Sequence, residues 1–567
     1  MVTRYRYPLL IAGVLFFSQW ALAASIDGRV RSEDGKAIRA ALVTLIRADG
    51  LYSETVYSND EGRYHLDTHL RGSLTLRARA PGFADAQQTM NLGESGSSGA
   101  DFTLRRLTTA QEISDNLPAS AHFTRLKFTD LAQRRNFQND CLSCHQIGGP
   151  RTRMQRPTEL WETIVTRMLS YSGNANKDTL AQYVKLLSTA FDGKPFTVKE
   201  DNAVAPETLR ARISEWKLPG AQIAHDTAID PTDGLFYTVD GVTDQIYITN
   251  PVTNTTSNVP VPAMDVPLGG KFAAMGLPIP IGMTNSRHGP HSIQYGPGGR
   301  FYITSALGGD ITVFDPVNRT FTDHPLGGDA LWPHTIRFDA QGIAWFTIAV
   351  SNQVGRFDPK TGDMKIIDLP KTTNRPNAGF MFPYGIDVSP IDGSVWYTRL
   401  WADKIGRIDP ETLAVQEFDP PLSGPRRLRF DASGTLWIPA FGDGTLVKLD
   451  TKTMQYTSYK LPRLSPGESE APYAVAVDPV RQEVWATSNM SDRLFRFLPK
   501  ENRFITYPMP TRGTYTREIF FPADGRVCSP ASPLPAQADV IEGGMDTIVC
   551  IDLGDKPYVR QAALTSP

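Results

Sequence analysis

The chain has 567 residues, too many for one ordinary domain and enough for about three. Its formal charge of −2, with acidic and basic residues interspersed, gives no footing for nucleic acid or for a charged membrane surface. Gly 46, Pro 43 and 10% aromatic residues point to many short strands joined by turns, and only four cysteines are present.

The N-terminus reads as an export signal over residues 1–23. Arg4 and Arg6 provide a positive start, Leu9 to Phe17 an apolar run too short to span a bilayer, and Ala21-Leu22-Ala23 a small-x-small cleavage site. No later stretch approaches twenty apolar residues. The expectation is a mature chain starting near Ala24, without a membrane span and outside the cytoplasm, which in a bacterium means the periplasm.

Residues 24–107 alternate apolar and polar positions in short runs. Turn signals separate them: Glu33-Asp34-Gly35, Asp49-Gly50, Asn59-Asp60-Glu61-Gly62 and Pro81-Gly82. The pattern predicts a small β-sandwich. With Gly28-Arg29-Val30, Ala41-Leu42-Val43-Thr44-Leu45, Asp60-Glu61-Gly62-Arg63-Tyr64 and Ala80-Pro81-Gly82-Phe83, this part resembles the carboxypeptidase regulatory-like domain. The resemblance implies a packing or binding role without catalysis.

Residues 108–204 change to helical patterning. Glu112 to Asn136 reads mostly helical. Thr158 to Tyr171 is amphipathic, with Trp161, Ile164, Val165, Met168 and Leu169 on one face, and Lys177 to Ala190 forms a further helix. Between them stands Cys141-Leu142-Ser143-Cys144-His145, a CxxCH motif. Two thiols at this spacing can add to the two vinyl groups of one haem, and His145 is then placed to ligate the iron. A zinc site would want a second, suitably spaced Cys/His pair, and a thioredoxin-like redox pair a βαβ frame; neither is in evidence nearby. The expectation is a small all-α cytochrome c-like domain carrying covalent haem c. Met154, Met168 and His122 are the candidates for the sixth ligand. The segment Arg156-Pro157-Thr158-Glu159-Leu160-Trp161 through Arg167-Met168 is similar to the Trp…Arg-Met helix of haem domains like that of quinohemoprotein amine dehydrogenase. That similarity implies Met168, although a methionine on an apolar helix face also serves as plain core.

From 205 to 567 the sequence repeats itself. Pro290-His291-Ser292-Ile293, Pro333-His334-Thr335-Ile336, Pro383-Tyr384-Gly385-Ile386, Pro425-Arg426-Arg427-Leu428 and Pro472-Tyr473-Ala474-Val475 mark successive copies, with weaker ones at His225 and Arg517. Four short strands recur in each, with one longer insertion between the first two copies, which predicts a seven-bladed β-propeller. Ile213 to Pro219 has the form of an outer strand that precedes the first inner one, so it is expected to complete the last blade and close the ring. Cys528 and Cys550 fall opposite each other in that blade, and an oxidising compartment favours their pairing.

Trp345-Phe346-Thr347 with Val354-Gly355-Arg356-Phe357-Asp358-Pro359, and the copy Trp396-Tyr397-Thr398 with Ile405-Gly406-Arg407-Ile408-Asp409-Pro410, resemble the virginiamycin B lyase (streptogramin lyase) propeller. That family works through a strand-head His, a Glu ending Trp-Phe-x-Glu and a second His nearby. The Glu position here reads Asp240, Ser305, Ile348, Arg399, Ala440 and Ser488 in the first six copies, so only His225 with Asp240 keeps a partial pair.

Ring geometry would bring the strand heads His225, His291, His334, Tyr384, Arg426, Tyr473 and Arg517 to one mouth of the central channel. They are the candidate catalytic residues: a cationic, hydrogen-bond-rich pocket for a small anionic or phenolic substrate. With His288 just upstream, His225, His291 and His334 also form a possible ligand set for copper or a similar metal, while side chains that merely line a water-filled channel would look the same. No GxGxxG fingerprint or P-loop is present, and the seven copies lack the Trp-rich repeat of eight-bladed quinone propellers. The reading is a multidomain, mainly β, exported haem c oxidoreductase that exchanges electrons with a soluble donor or acceptor protein. The alternatives are a non-catalytic electron-transfer or binding module for a partner dehydrogenase, and a lyase-like elimination enzyme.

Overall fold

The computed structural model describes residues 24–93, 97–280, 282–375, 379–532 and 545–555. The expected export signal lies outside them. No helix among the described residues is long and apolar enough to cross a membrane.

The N-terminal part is built from two sheets. Ala24–Ser32 pairs antiparallel with Arg63–Thr68 and parallel with Ser97–Gly99 and Phe102–Leu104. Tyr52–Tyr57, Leu42–Ile46, Gly72–Arg79 and Ala86–Leu92 form the other in that order. Alternation drives the arrangement: Arg63–Thr68 buries every second residue, and Ile26, Val30, Val43, Leu45, Leu66 and Leu76 meet in one core.

Five helices follow: α1 Ala110–Asn116, α2 Ala119–Phe123, α3 Leu131–Cys141, α4 Thr158–Tyr171 and α5 Lys177–Ala190. The last two have the bounds that their periodicity predicts. The stretch from Glu112 to Asn136, expected to be mostly helical, is divided among three helices. Leu117 precedes Pro118, whose ring disfavours helical backbone before it, and Leu117 is accordingly extended (φ −69°, ψ 143°). Thr109 and Glu112 cap α1 reciprocally, and Asp130 and Asn176 cap α3 and α5. The helices are not free-standing. Phe137, Leu142, Trp161 and Leu187 share their core with Phe441, Ala471 and Met490 of the following region.

That region is a propeller-like ring. Six four-stranded antiparallel sheets follow one another, from Ala224–Ile229 in the first to Arg503–Pro508 in the sixth. Innermost strands of successive sheets touch, and the first touches Val527–Ala531 of the seventh. The insertion between the first two sheets carries the short helix α6, Gly270–Ala274. Second strands such as Ala344–Ile348 are buried along their whole length, whereas outer ones such as Thr320–Pro325 are largely exposed, the gradient expected for a ring of stacked sheets.

The seventh sheet departs from the simple pattern. Val527–Ala531 pairs with Thr547–Asp552, which pairs with Arg212–Lys217, the closing strand expected from the sequence. Cys528 and Cys550 are register partners there and form a disulfide. Arg212–Lys217 is no edge, however. Its other side pairs with Tyr52–Tyr57, so the sandwich sheet and the last blade form one seven-stranded sheet. An outer strand with unpaired amides is thereby covered, and the N-terminal part is held rigidly against the ring.

Candidate functional site

A cavity of about 500 Å³ lies between the helical segment and the ring. His225, His291, His334, Tyr384, Arg426, Tyr473 and Arg517 line it from below. Cys141, Cys144, His145 and Met168 line it from above, with Trp161, Ile164 and Val165 of α4. Two groups of residues singled out separately in the sequence therefore face one space. The insertion contributes a side wall through Phe272, Leu277, Pro278, Pro280 and Met283.

Backbone placement explains why the strand heads point there. The residue before Pro290 and Pro425 is a glycine with positive φ, Gly289 (60°) and Gly424 (65°). The same position holds Trp332 (66°) before Pro333-His334 and Phe382 (55°) before Pro383-Tyr384. Bulky side chains rarely adopt this conformation, and both line the cavity. Trp332 and Phe382 are site residues the sequence reading missed. An aromatic residue where aligned copies place glycine was the available signal.

The CxxCH segment is docked on the ring by hydrogen bonds to its main chain. Arg426 Nη2 donates to Ser143 O (2.7 Å), Arg517 Nη2 to Cys144 O (3.2 Å) and Tyr515 Oη to Leu142 O (2.5 Å). Gln138 of α3, fully buried, donates to Glu470 O (2.8 Å), and Arg375 pairs with Asp140 (2.6 Å). Cys141 and Cys144 are unpaired thiols. Cys144 is crowded by protein, and burial pushes its thiol up, yet its sulfur has accessible surface because it faces the cavity.

The donor set fits a covalently held haem. Both thiols and His145 open on a largely apolar space of a size usual for cofactors. His145 Nδ1 donates to Gln146 O (2.9 Å), which leaves the Nε2 lone pair free for a metal, as a backbone carbonyl commonly holds the other nitrogen of a ligating histidine. Of the three candidates opposite, Met168 alone lines the cavity. Met154 is half exposed. His122 is buried elsewhere, with Nε2 bonded to Ser114 O (2.8 Å).

On the ring side a hydrogen-bonded chain runs inward. Arg426 Nη2 donates to Tyr384 Oη (2.9 Å), Tyr384 Oη to Tyr473 Oη, Tyr473 Oη to His225 Nε2 (3.3 Å), and His225 Nδ1 to Asp226 Oδ1 (2.9 Å). Arg426 also stacks over the Tyr473 ring at 3.7 Å. The imidazoles of His225 and His291 approach to 3.6 Å between centroids, and those of His291 and His334 to 4.2 Å.

Burial pushes the His225 pKa down to about 4, and burial with neighbouring charge holds His291 and His334 well below the ordinary value. The imidazoles are therefore neutral at pH 7. Among the strand heads the positive charge therefore resides on Arg426 and Arg517, and Arg151, Arg156 and Arg167 line the cavity from the helical side. Deeper in the channel, burial opposes ionisation of Asp226, but Arg427 at 2.7 Å outweighs it and holds the carboxyl low. Arg427 also pairs with Glu518, which Arg337 (3.3 Å) and Arg429 (3.0 Å) approach as well. These charges escaped the sequence reading although Asp226, Arg427 and Glu518 each directly follow a strand head.

Two expected groupings do not form. His288 turns away from the cavity toward Asp310 and Asp323. Among the described residues this is the only group of three His, Cys, Asp or Glu whose ligand atoms lie within 4.8 Å of one another, so the strand-head histidines are close without converging as a metal cage. Both nitrogens of His225 are already engaged. Asp240, the nearest counterpart of the lyase glutamate, accepts from the amides of Gln222, Ile223 and Val242 and serves the loop rather than the cavity.

Residues 25–105 match the model of the carboxypeptidase regulatory-like domain, and residues 279–424 that of the virginiamycin B lyase family. The CxxCH segment lies outside both spans. No curated protein matches the chain. Among solved structures, a selenomethionine-substituted virginiamycin B lyase from Staphylococcus aureus is 18% identical with a TM-score of 0.47, covering 60% of this chain and 99% of that one. A streptogramin B lyase structure is 18% identical with a TM-score of 0.49, covering 61% and 100%.

Proposed function

We propose that this chain is an exported haem c oxidoreductase. Cys141 and Cys144 would hold a haem covalently, His145 and Met168 would be the residues that hold its iron, and a small anionic or phenolic substrate would be oxidised on the ring side of the same cavity. Electrons would pass to a soluble partner protein. The observation that carries this reading is the single cavity shared by the CxxCH residues and the strand-head His, Tyr and Arg.

A haem at this position supplies one-electron transfer, and a His/Met ligand pair favours a high potential. The chain's own residues do the rest. Arg426 and Arg517 offer charge to an anion while tying the CxxCH main chain to the ring. His291 and His334, neutral in the buried site, can accept a proton from a phenolic hydroxyl. His225 is held by Asp226 and Tyr473 and orients the tyrosine pair. Trp332, Phe382 and the insertion exclude water from the aromatic side of the space.

The test is haem reduction by a panel of phenols and small organic acids. His291→Ala and His334→Ala are each expected to slow substrate-driven reduction by roughly 100-fold or more, the usual weight of a positioned base, with the haem spectrum intact. Reduction at the parental rate in both variants would remove the ring from the chemistry. Failure of every small reductant, with rapid reduction by one redox protein, would favour a non-catalytic electron-transfer module.

A second reading has family-level support. The virginiamycin B lyase match over residues 279–424 favours an elimination enzyme, and it speaks for that alternative more directly than any comparison speaks for haem chemistry. Against it stand the substituted glutamate positions and the engagement of Asp240 by loop amides. Loss of streptogramin B from solution, with an unchanged haem redox state, would establish it.

A further inference from the structure

His288 closes the insertion between the first two sheets of the ring. Its Nε2 donates to Pro262 O (2.6 Å) at the start of the same insertion, so Nδ1 carries the lone pair. That Nδ1 is buried and has no hydrogen-bond partner. Facing it is Asp310, 1% exposed, whose Oδ2 is also buried without a partner. Asp323 completes the group from the outer strand Thr320–Pro325, where it is exposed to solvent. Thr312 Oγ1 lies 2.9 Å from Asp310 Oδ1 and 2.8 Å from Asp323 Oδ1, which orients both carboxyls.

Lys271 lies on the same side, but its ammonium bonds Gly309 O at 3.4 Å. A thioether is also close. A methyl group on Gly308 would meet Asp310 Oδ2 at 2.6 Å and Met264 Sδ at 2.8 Å.

We propose that His288 Nδ1, Asp310 and Asp323 form a binding site for a zinc-class divalent transition-metal ion, separate from the cavity. One imidazole with two carboxylates selects such an ion over calcium or magnesium, which take all-oxygen shells, and its charge balances both aspartates. The unpartnered lone pair and carboxylate oxygen are the atoms such an ion would satisfy. The imidazole's second nitrogen is held by a backbone carbonyl, as metal-ligating histidines usually are. Asp323 provides the entry from solvent. The role is structural: the ion ties the insertion, which walls the cavity through Phe272, Leu277 and Met283, to the second sheet.

The test uses the full chain with its haem state unaltered, stripped of loose metal with EDTA and titrated with Zn2+ against a fluorescent indicator. The parent is expected to bind one Zn2+ per chain and to melt at a higher temperature when loaded. Asp323→Asn, at an exposed position that leaves the fold undisturbed, is expected to weaken binding by about 10-fold or more. His288→Gln should do the same, with an unchanged visible spectrum reporting an intact cavity. Parental Zn2+ affinity in Asp323→Asn, or no Zn2+ bound by the parent, would overturn the proposal.

Discussion

The two walls of the cavity are made by opposite means. The ring wall is polar, and its side chains are held by a hydrogen-bonded chain from Arg426 to Asp226 backed by the charges of Arg427 and Glu518. The helical wall carries the apolar face of α4, with Arg151, Arg156 and Arg167 also lining the space, and two thiols, one at the end of α3 and one in the segment just after it. The ring wall is therefore set by strand register. On the proposed reading, recognition and proton handling would belong to the first wall, and holding a prosthetic group to the second.

The comparison breaks most completely at the thiols. On the haem reading, Cys141→Ala with Cys144→Ala abolishes covalent attachment. Haem that stays with the denatured parent is then extracted by acid acetone from the variant. A parent without covalent haem would leave the helical wall as an apolar binding face only.

On the ring side the largest loss is expected at Arg427. Arg427→Ala leaves Asp226 and Glu518 buried beside an incomplete set of cations. Removing one partner of such a group costs about 3–5 kcal/mol, to be read from urea unfolding followed by tryptophan fluorescence. A loss below about 1 kcal/mol, the level of an exposed pair, would mean that water reaches this channel.

Ring closure is the next test. Cys528→Ala with Cys550→Ala removes a crosslink between residues 22 apart, and a loss of about 2–4 kcal/mol is expected in the same assay. The continuous sheet through Arg212–Lys217 and Tyr52–Tyr57 should still hold the ring shut, so far-ultraviolet circular dichroism should not change.

A last test is with pH. The His225 pKa is lowered from its ordinary 6.5 to about 4 in the folded chain, and burial holds His291 and His334 well below the ordinary value too. Between those values the unfolded chain binds protons that the folded one does not. Stability is thus fully present above pH 6.5 and declines as pH falls toward 4. Thermal melts over that range should show a falling midpoint, and His334→Gln should flatten the slope. His122, also pushed to about 4 by burial, adds one share on the helical side against three on the ring side.

Where the sequence reading succeeded and failed follows from the range of the interactions involved. Helices α4 and α5 were readable to the residue because periodicity and caps are local signals. The repeat of Pro-x strand heads foretold seven sheets and the seven side chains at one mouth, since each sheet repeats the same register. The Cys528–Cys550 pairing followed from the same alignment. The break at Pro118 was local too, and was passed over in favour of the surrounding helical composition.

By itself, then, the sequence determined the order of parts, the seven-fold repeat, the CxxCH motif and the inventory of strand-head side chains. Each is a matter of local spacing or of a unit repeated in register. Tertiary structure alone decided that the CxxCH segment faces the strand heads across one cavity, that His288 leaves them for Asp310 and Asp323, and that Asp240 serves a loop. It also decided that the sandwich extends the last blade. These outcomes depend on how separately coded surfaces dock. That depends on burial, on partners for buried polar groups and on covering a strand edge, all of which join residues hundreds of positions apart.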